Sequence, residues 1–134
     1  MTLEHVAIWT HDTERLKDFY VKFFNGAANE KYVNRQKEFE SYFLSFKGGA
    51  RLEIMKMKGV PDNLNDTIQA QHKGIIHLAF GLDTVAEVDE KASELSAAGF
   101  PILSGPRKTG DGYYEFETLD PDNNRLEVTA VCRG

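Results

Sequence analysis

His5-Val6-Ala7-Ile8, followed later by Arg51-Leu52-Glu53-Ile54, returns as His77-Leu78-Ala79-Phe80, followed by Arg125-Leu126-Glu127-Val128. Glu53 trails His5 by 48 residues and Glu127 trails His77 by 50, so one short insertion separates two copies of a single unit. A repeat present only twice predicts paired modules sharing a sheet system, because a solenoid needs at least three copies. Within the first copy Val6 and Ile8 alternate with His5, Ala7 and Trp9. That period of two marks a half-buried strand whose second face carries the histidine.

Working outward, Asp12 is placed to cap a helix whose Leu16, Phe19, Tyr20, Phe23 and Phe24 repeat at helical spacing, with Gly26 expected as its left-handed stop. Extended runs follow at 28–33, 39–46 and 51–57, the last two joined at Gly48-Gly49. Residues 58–73 hold Pro61, Asn63, Asn65 and Asp66 without periodicity and read as a connector. A second strand is expected at 75–80. Thr84 and Glu87 then form a capping box for a helix closed by Gly99, and strands follow at 100–103, 113–119 and 125–131. The expected organisation is a single α+β domain over 1–134, built from a βαβββ module at 1–57, the connector, and a second βαβββ module at 74–134.

A chain of 134 residues is long enough to bury a core without disulfides, and its only cysteine, Cys132, excludes both a disulfide framework and a thiolate metal site. That usage fits a reducing, cytoplasmic setting. No apolar run approaches the roughly 20 residues a membrane helix requires, so no membrane partner is expected. A net charge of −5 with dispersed lysine and arginine argues against nucleic acid.

Strand parity puts Leu52, Ile54, Leu126 and Val128 on a face toward the helices. His5, Glu53, His77 and Glu127 fall on the opposite face, with small Ala7 and Ala79 beside the histidines. Singly, such residues suit a wet sheet face. Together, two carboxylates brought close are costly until a cation joins them, and imidazole with carboxylate suits a divalent transition ion. The four are therefore candidate ligands of one divalent metal ion per site, with coordination positions left open for catalysis. Ni, Co, Zn, Mn and Fe all fit such donors. His11 and His72 read as surface residues.

These residues resemble the vicinal oxygen chelate (glyoxalase/bleomycin resistance/dioxygenase) superfamily over nearly the whole chain. The likeness rests on His5 in strand one, on Gly74-Ile75-Ile76-His77-Leu78-Ala79-Phe80, and on Leu119-Asp120-Pro121-Asp122-Asn123-Asn124-Arg125-Leu126-Glu127. The last segment is similar to a D-P-D-G-x-x-[IL]-E ending, with Asn124 read at the usual glycine. The resemblance implies a cupped, mostly antiparallel sheet with helices on its outer face. A His, Glu, His, Glu quartet is most similar to bacterial-type glyoxalase I, lactoylglutathione lyase. It implies a metal-dependent isomerase or lyase that binds vicinal oxygens of a small α-oxo substrate or thiol adduct and stabilises an enediolate during proton transfer. Glu53 or Glu127 would be the catalytic base, with Glu127 favoured, and a homodimer would combine modules from two chains.

Two departures bear on the substrate. Trp9 stands where that family has a basic residue, and Met57 where it has a small polar contact to glutathione, so a glutathione adduct is one open choice. Trp9 either walls the pocket or fills a module interface. Arg107, Lys108, Tyr113 and Tyr114, in a loop expected at 106–114, either contact substrate or belong to an ordinary polar hairpin. The competing readings are a metal-free drug-binding protein of the bleomycin-resistance kind, an Fe(II) extradiol dioxygenase and an acyl-CoA epimerase.

Overall fold

The computed structural model describes residues 1–132; positions 133 and 134, the end of the second expected module, lie outside the described residues. The chain divides into two compact units, Met1–Leu64 and the remainder from Asn65, with the boundary inside the expected connector. The first unit runs β1 (His5–Trp9), α1 (Thr13–Phe24), β2 (Ala27–Ala28), β3 (Tyr32–Asn34), β4 (Phe39–Ser45) and β5 (Arg51–Met57). The second runs β6 (Leu78–Gly81), α2 (Val85–Ala97), β7 (Ile102–Lys108), β8 (Tyr113–Leu119) and β9 (Arg125–Val131).

In the first unit the sheet order is β1-β5-β4-β2, with β3 also paired to β4; in the second it is β6-β9-β8-β7. The opening strand of each unit lies parallel to its closing strand, while the remaining pairs are antiparallel. This is the consequence of sending the chain through a helix after the first strand, since only a crossover returns a strand in parallel. The helix then covers one sheet face. Leu16, Phe19, Tyr20 and Phe23 of α1 are buried with Leu44, Leu52 and Ile54; Val88, Ala92 and Leu95 of α2 are buried with Phe116, Leu126 and Val128. The other face of each sheet is left for chemistry.

Local details refine the expected pattern. Asp12 caps α1 by accepting from the Arg15 N–H at 3.0 Å, and Thr84 caps α2 by accepting from the Glu87 N–H while donating to the Glu87 carboxylate. The left-handed residue ending α1 is Asn25 (φ 56°), not the expected Gly26. Gly26 is required for space instead, because a Cβ there would stand 2.8 Å from Leu44 Cδ2. The run expected at 28–33 is split. The Asn29 side chain accepts the Phe43 N–H at 2.9 Å, taking over a ladder position and separating β2 from β3.

In the second unit β6 starts at Leu78 rather than at 75, which puts His77 immediately before the strand. β7 runs on to Lys108, so Pro106, Arg107 and Lys108 of the loop expected at 106–114 are strand, while Tyr113 and Tyr114 begin β8 where the 113–119 strand was expected. Pro106 is accommodated because β7 is an edge strand with irregular register on either side of Ser104. In the β8–β9 turn the positive φ falls on Asn123 (65°), not Asn124. Asn124 instead donates its side-chain N–H to Asp120 Oδ2 at 2.8 Å, while its own backbone N–H and that of Asp122 reach Oδ1. The buried Asp120 carboxylate thereby organises the whole turn.

Candidate metal centre

The parallel strand pairs fix the four candidate ligands. In the first unit Ala7 lies opposite Glu53, and His5, two residues earlier on the same face, reaches it diagonally. In the second unit Ala79 lies opposite Glu127, and His77 again precedes the alanine by two. His5 Nε2 stands 3.7 Å from Glu53 Oε1, and His77 Nε2 stands 3.5 Å from Glu127 Oε2. Both glutamate side chains are only 15% exposed.

These separations exceed a charge-assisted hydrogen bond, which closes to about 2.7–2.9 Å. They stand a few tenths of an ångström wider than two donors sharing one ion, since ligand atoms about 2.1 Å from a metal lie roughly 3.0 Å apart at a right angle and about 3.4 Å apart at a tetrahedral one. Each unit thus offers one imidazole–carboxylate pair of the kind a divalent cation takes.

Around His5 the surroundings are aromatic and charge-paired. Arg51 holds the Glu4 carboxylate through Nε at 2.9 Å and Nη2 at 2.5 Å, which lowers the Glu4 pKa to about 2. Glu4 Oε1 stands 3.0 Å from His5 Nδ1. An ionised carboxylate only accepts, so Nδ1 carries the proton and Nε2 presents its lone pair toward Glu53, the arrangement metal-binding imidazoles use. The Phe43 ring, on the residue opposite Glu53, meets His5 edge-on at 5.3 Å and stacks against Arg51 at 4.2 Å.

Around His77 the surroundings are acidic. Glu117 lies directly opposite Glu127 across β8 and β9. The Glu127 carboxyl is pushed up to about 7, chiefly by burial, then by a hydrogen bond with Glu115 and the charges of Glu115, Glu117 and Asp111. Arg125 Nη1 holds Glu117 Oε2 at 2.8 Å, and its Nη2 donates to the carbonyls of Thr67 and Ile68. One donor atom from each of His77, Glu117 and Glu127 lies within 4.8 Å of the others. Glu117 was not among the candidates read from sequence, although the 121–124 turn places it across from Glu127 once the hairpin is folded about that turn.

The five candidate substrate contacts divide by face. Trp9 and Tyr113 lie on open faces at 42% and 41% exposure, and Trp9 meets Phe39 edge-on at 6.2 Å. Trp9 stands four strand residues from His5, about 13 Å along β1. Arg107 pairs with Glu115 and shares its face. Tyr114 turns the other way and donates its hydroxyl to Asp89 of α2 at 2.6 Å, with Lys108 opposite it in register. His11 and His72 are exposed; His11 Nε2 meets Asp62 and His72 Nε2 meets the Asp66 carbonyl. A depression of about 520 Å³ at the far end of the first sheet is lined by His11, Phe39, Met57 and Val60 among others and contains none of the four donors.

The sequence profile of the Glyoxalase/Bleomycin resistance protein/Dioxygenase superfamily matches residues 2–128, and the chain belongs to that superfamily. It is similar to the protein YqjT of Bacillus subtilis (strain 168), with 26% identity over 131 residues covering 96% of this chain and 98% of YqjT. Solved structures agree on the fold. A glyoxylase/bleomycin resistance protein/dioxygenase domain from Frankia sp. EAN1pec superposes with a TM-score of 0.79 at 17% identity, covering 98% of each chain. The trypanothione-dependent glyoxalase I of Leishmania major gives 0.75 at 20% identity, covering 97% of this chain and 86% of its own. The fosfomycin resistance protein FosX of Listeria monocytogenes, solved with Mn(II) and sulfate, gives 0.68 at 20% identity, covering 96% and 90%. The fold is thus the glyoxalase-like α+β fold. Among the described residues no helix is long and apolar enough to cross a membrane.

Proposed function

We propose that the chain is a metal-dependent isomerase or lyase of the glyoxalase I kind, acting on a small α-oxo compound or its thiol adduct. His5 and Glu53 with His77 and Glu127 would together hold one divalent ion, in one chain or across a homodimer. The observation that carries this reading is the repeated pair: an imidazole and a carboxylate set 3.7 and 3.5 Å apart at equivalent registers of two units. When bound, the ion polarises the substrate carbonyl and offsets the negative charge that develops on its oxygen.

The chain's own groups then handle the proton. A glutamate beside the substrate removes the proton from the carbon next to the carbonyl and returns it to the neighbouring carbon, so no atom is gained or lost. Glu127 is favoured as that base. It hydrogen-bonds the Glu115 carboxyl, with which a captured proton can be shared, whereas Glu53 faces the Phe43 ring. Glu4 fixes the protonated nitrogen of His5 and keeps its Nε2 turned to the site. Trp9 and Tyr113 supply apolar surface, and Arg107 a positive charge for an anionic substrate group.

The test is elemental analysis of protein purified without added metal, followed by assay of the loaded protein with methylglyoxal and glutathione. The expected result is bound divalent metal, lost in His77→Ala, with isomerisation of the adduct. Metal without isomerisation would keep the centre and discard this substrate. Tight drug binding by chelated protein without turnover would favour the sequestering alternative.

A further inference from the structure

The two arginines that precede the metal-binding glutamates solve the same problem differently. Arg51 finds its acid in Glu4, on the far side of His5 from Glu53. Arg125, whose side chain is only 8% exposed, finds its acid in Glu117, on the strand facing Glu127. In the first unit the equivalent arginine, Arg51, is 39% exposed and pairs with Glu4 beyond His5, so the repeat itself does not fix an acid opposite the glutamate. Glu117 instead puts two carboxylates directly opposite each other, an arrangement that is destabilising without a cation. Arg125 engages Oε2 and leaves the other carboxylate oxygen available.

Building on the proposed function, we propose that Glu117 is a fifth metal ligand, so that His77, Glu117 and Glu127 form a three-donor grip on the ion within the second unit. Their mutual spacing, within 4.8 Å, needs only small side-chain rotations to surround one ion. Charge supports the set: three carboxylates, counting Glu53, are balanced by a divalent cation and the Arg125 guanidinium. Arg125 is then a positioning residue, tying Glu117 to the backbone at Thr67 and Ile68.

The experiment is a Co²⁺ titration of the full metal-free chain, read by calorimetry and by the visible absorption of bound Co²⁺. Glu117→Gln is expected to weaken binding at least about 10-fold and to change the absorption band, whereas Glu94→Gln, which removes an exposed acid of α2 paired with Lys91, stays within about threefold of the starting protein. Circular dichroism checks folding, and a Glu117→Gln/Arg125→Gln double variant, which removes both charges, is the fallback. Unchanged affinity and absorption in Glu117→Gln, while His77→Ala loses the ion, would make Glu117 a counter-ion of Arg125 alone and leave the proposed function intact. Equal losses in Glu94→Gln and Glu117→Gln would also overturn the assignment. Absence of Co²⁺ binding by the starting protein would remove both readings together.

Discussion

The two units place an imidazole and a glutamate in the same register, yet they surround them with opposite chemistry. Glu53 faces Phe43, with Met55 next on its strand; Glu127 faces Glu117, with Thr129 next, whose buried Oγ1 has no hydrogen-bond partner among the described residues. The backbone sets where the His–Glu pairs stand, and the neighbouring strand sets their electrostatics. A duplicated unit can therefore repeat an imidazole–carboxylate pair in two different surroundings, beside Phe43 and Met55 in one unit and beside carboxylates in the other.

The strongest way to break this comparison is to remove one imidazole. His77→Ala is expected to lower turnover by at least about 100-fold and to release the ion, and His5→Ala to do the same, if both pairs serve one centre. Activity and metal content measured on the same samples check this. Next in size, Leu126→Ala and its repeat partner Leu52→Ala, both buried beneath a helix, are each expected to cost about 2–5 kcal/mol by urea unfolding. Comparable losses would show that the units differ in chemistry rather than in core.

Much of this was legible in the sequence for a physical reason. Strand parity and helical spacing are local, so the duplication, both helices and the repeated His–Glu pairs on one face could be read directly. Register is not local: which residue of β8 faces Glu127 depends on the hairpin turn, and Glu117 emerged only when that turn was fixed. Near-neighbour choices were also hidden. Asn25 rather than Gly26 turns the chain after α1, since the glycine is needed where Leu44 packs closely. Asn123 rather than Asn124 takes the positive φ, because counting back from Glu127 makes Asn123 the fourth residue of the turn, where the D-P-D-G pattern has its glycine. The extent of β7 was missed because glycine and proline inside a run normally signal a loop, which an irregular edge strand overrides.

Titration sharpens the contrast with a smaller effect. In metal-free protein the Glu127 pKa of about 7 lies above its ordinary 4.5, so the folded state holds a proton the unfolded state has lost, and this carboxyl lowers stability as pH rises from about 4.5 to 7. Glu4, lowered to about 2, acts oppositely: its contribution is present above 4.5 and is lost as pH falls toward 2. Melting temperatures taken in chelator are expected to fall less between pH 5 and 8 in Glu127→Gln than in the starting protein, whereas Glu4→Gln changes only the acid limb. Smallest, removing either helix cap by Asp12→Ala or Thr84→Ala is expected to cost about 1 kcal/mol in unfolding experiments, without changing metal affinity.

The most direct measurement is the stoichiometry of ion binding at saturation, counted per chain on fully chelated and then reloaded protein. Two pairs serving one centre predict one ion per chain, in a single chain or across a dimer. Two ions per chain, one for each unit, or none at all would contradict it.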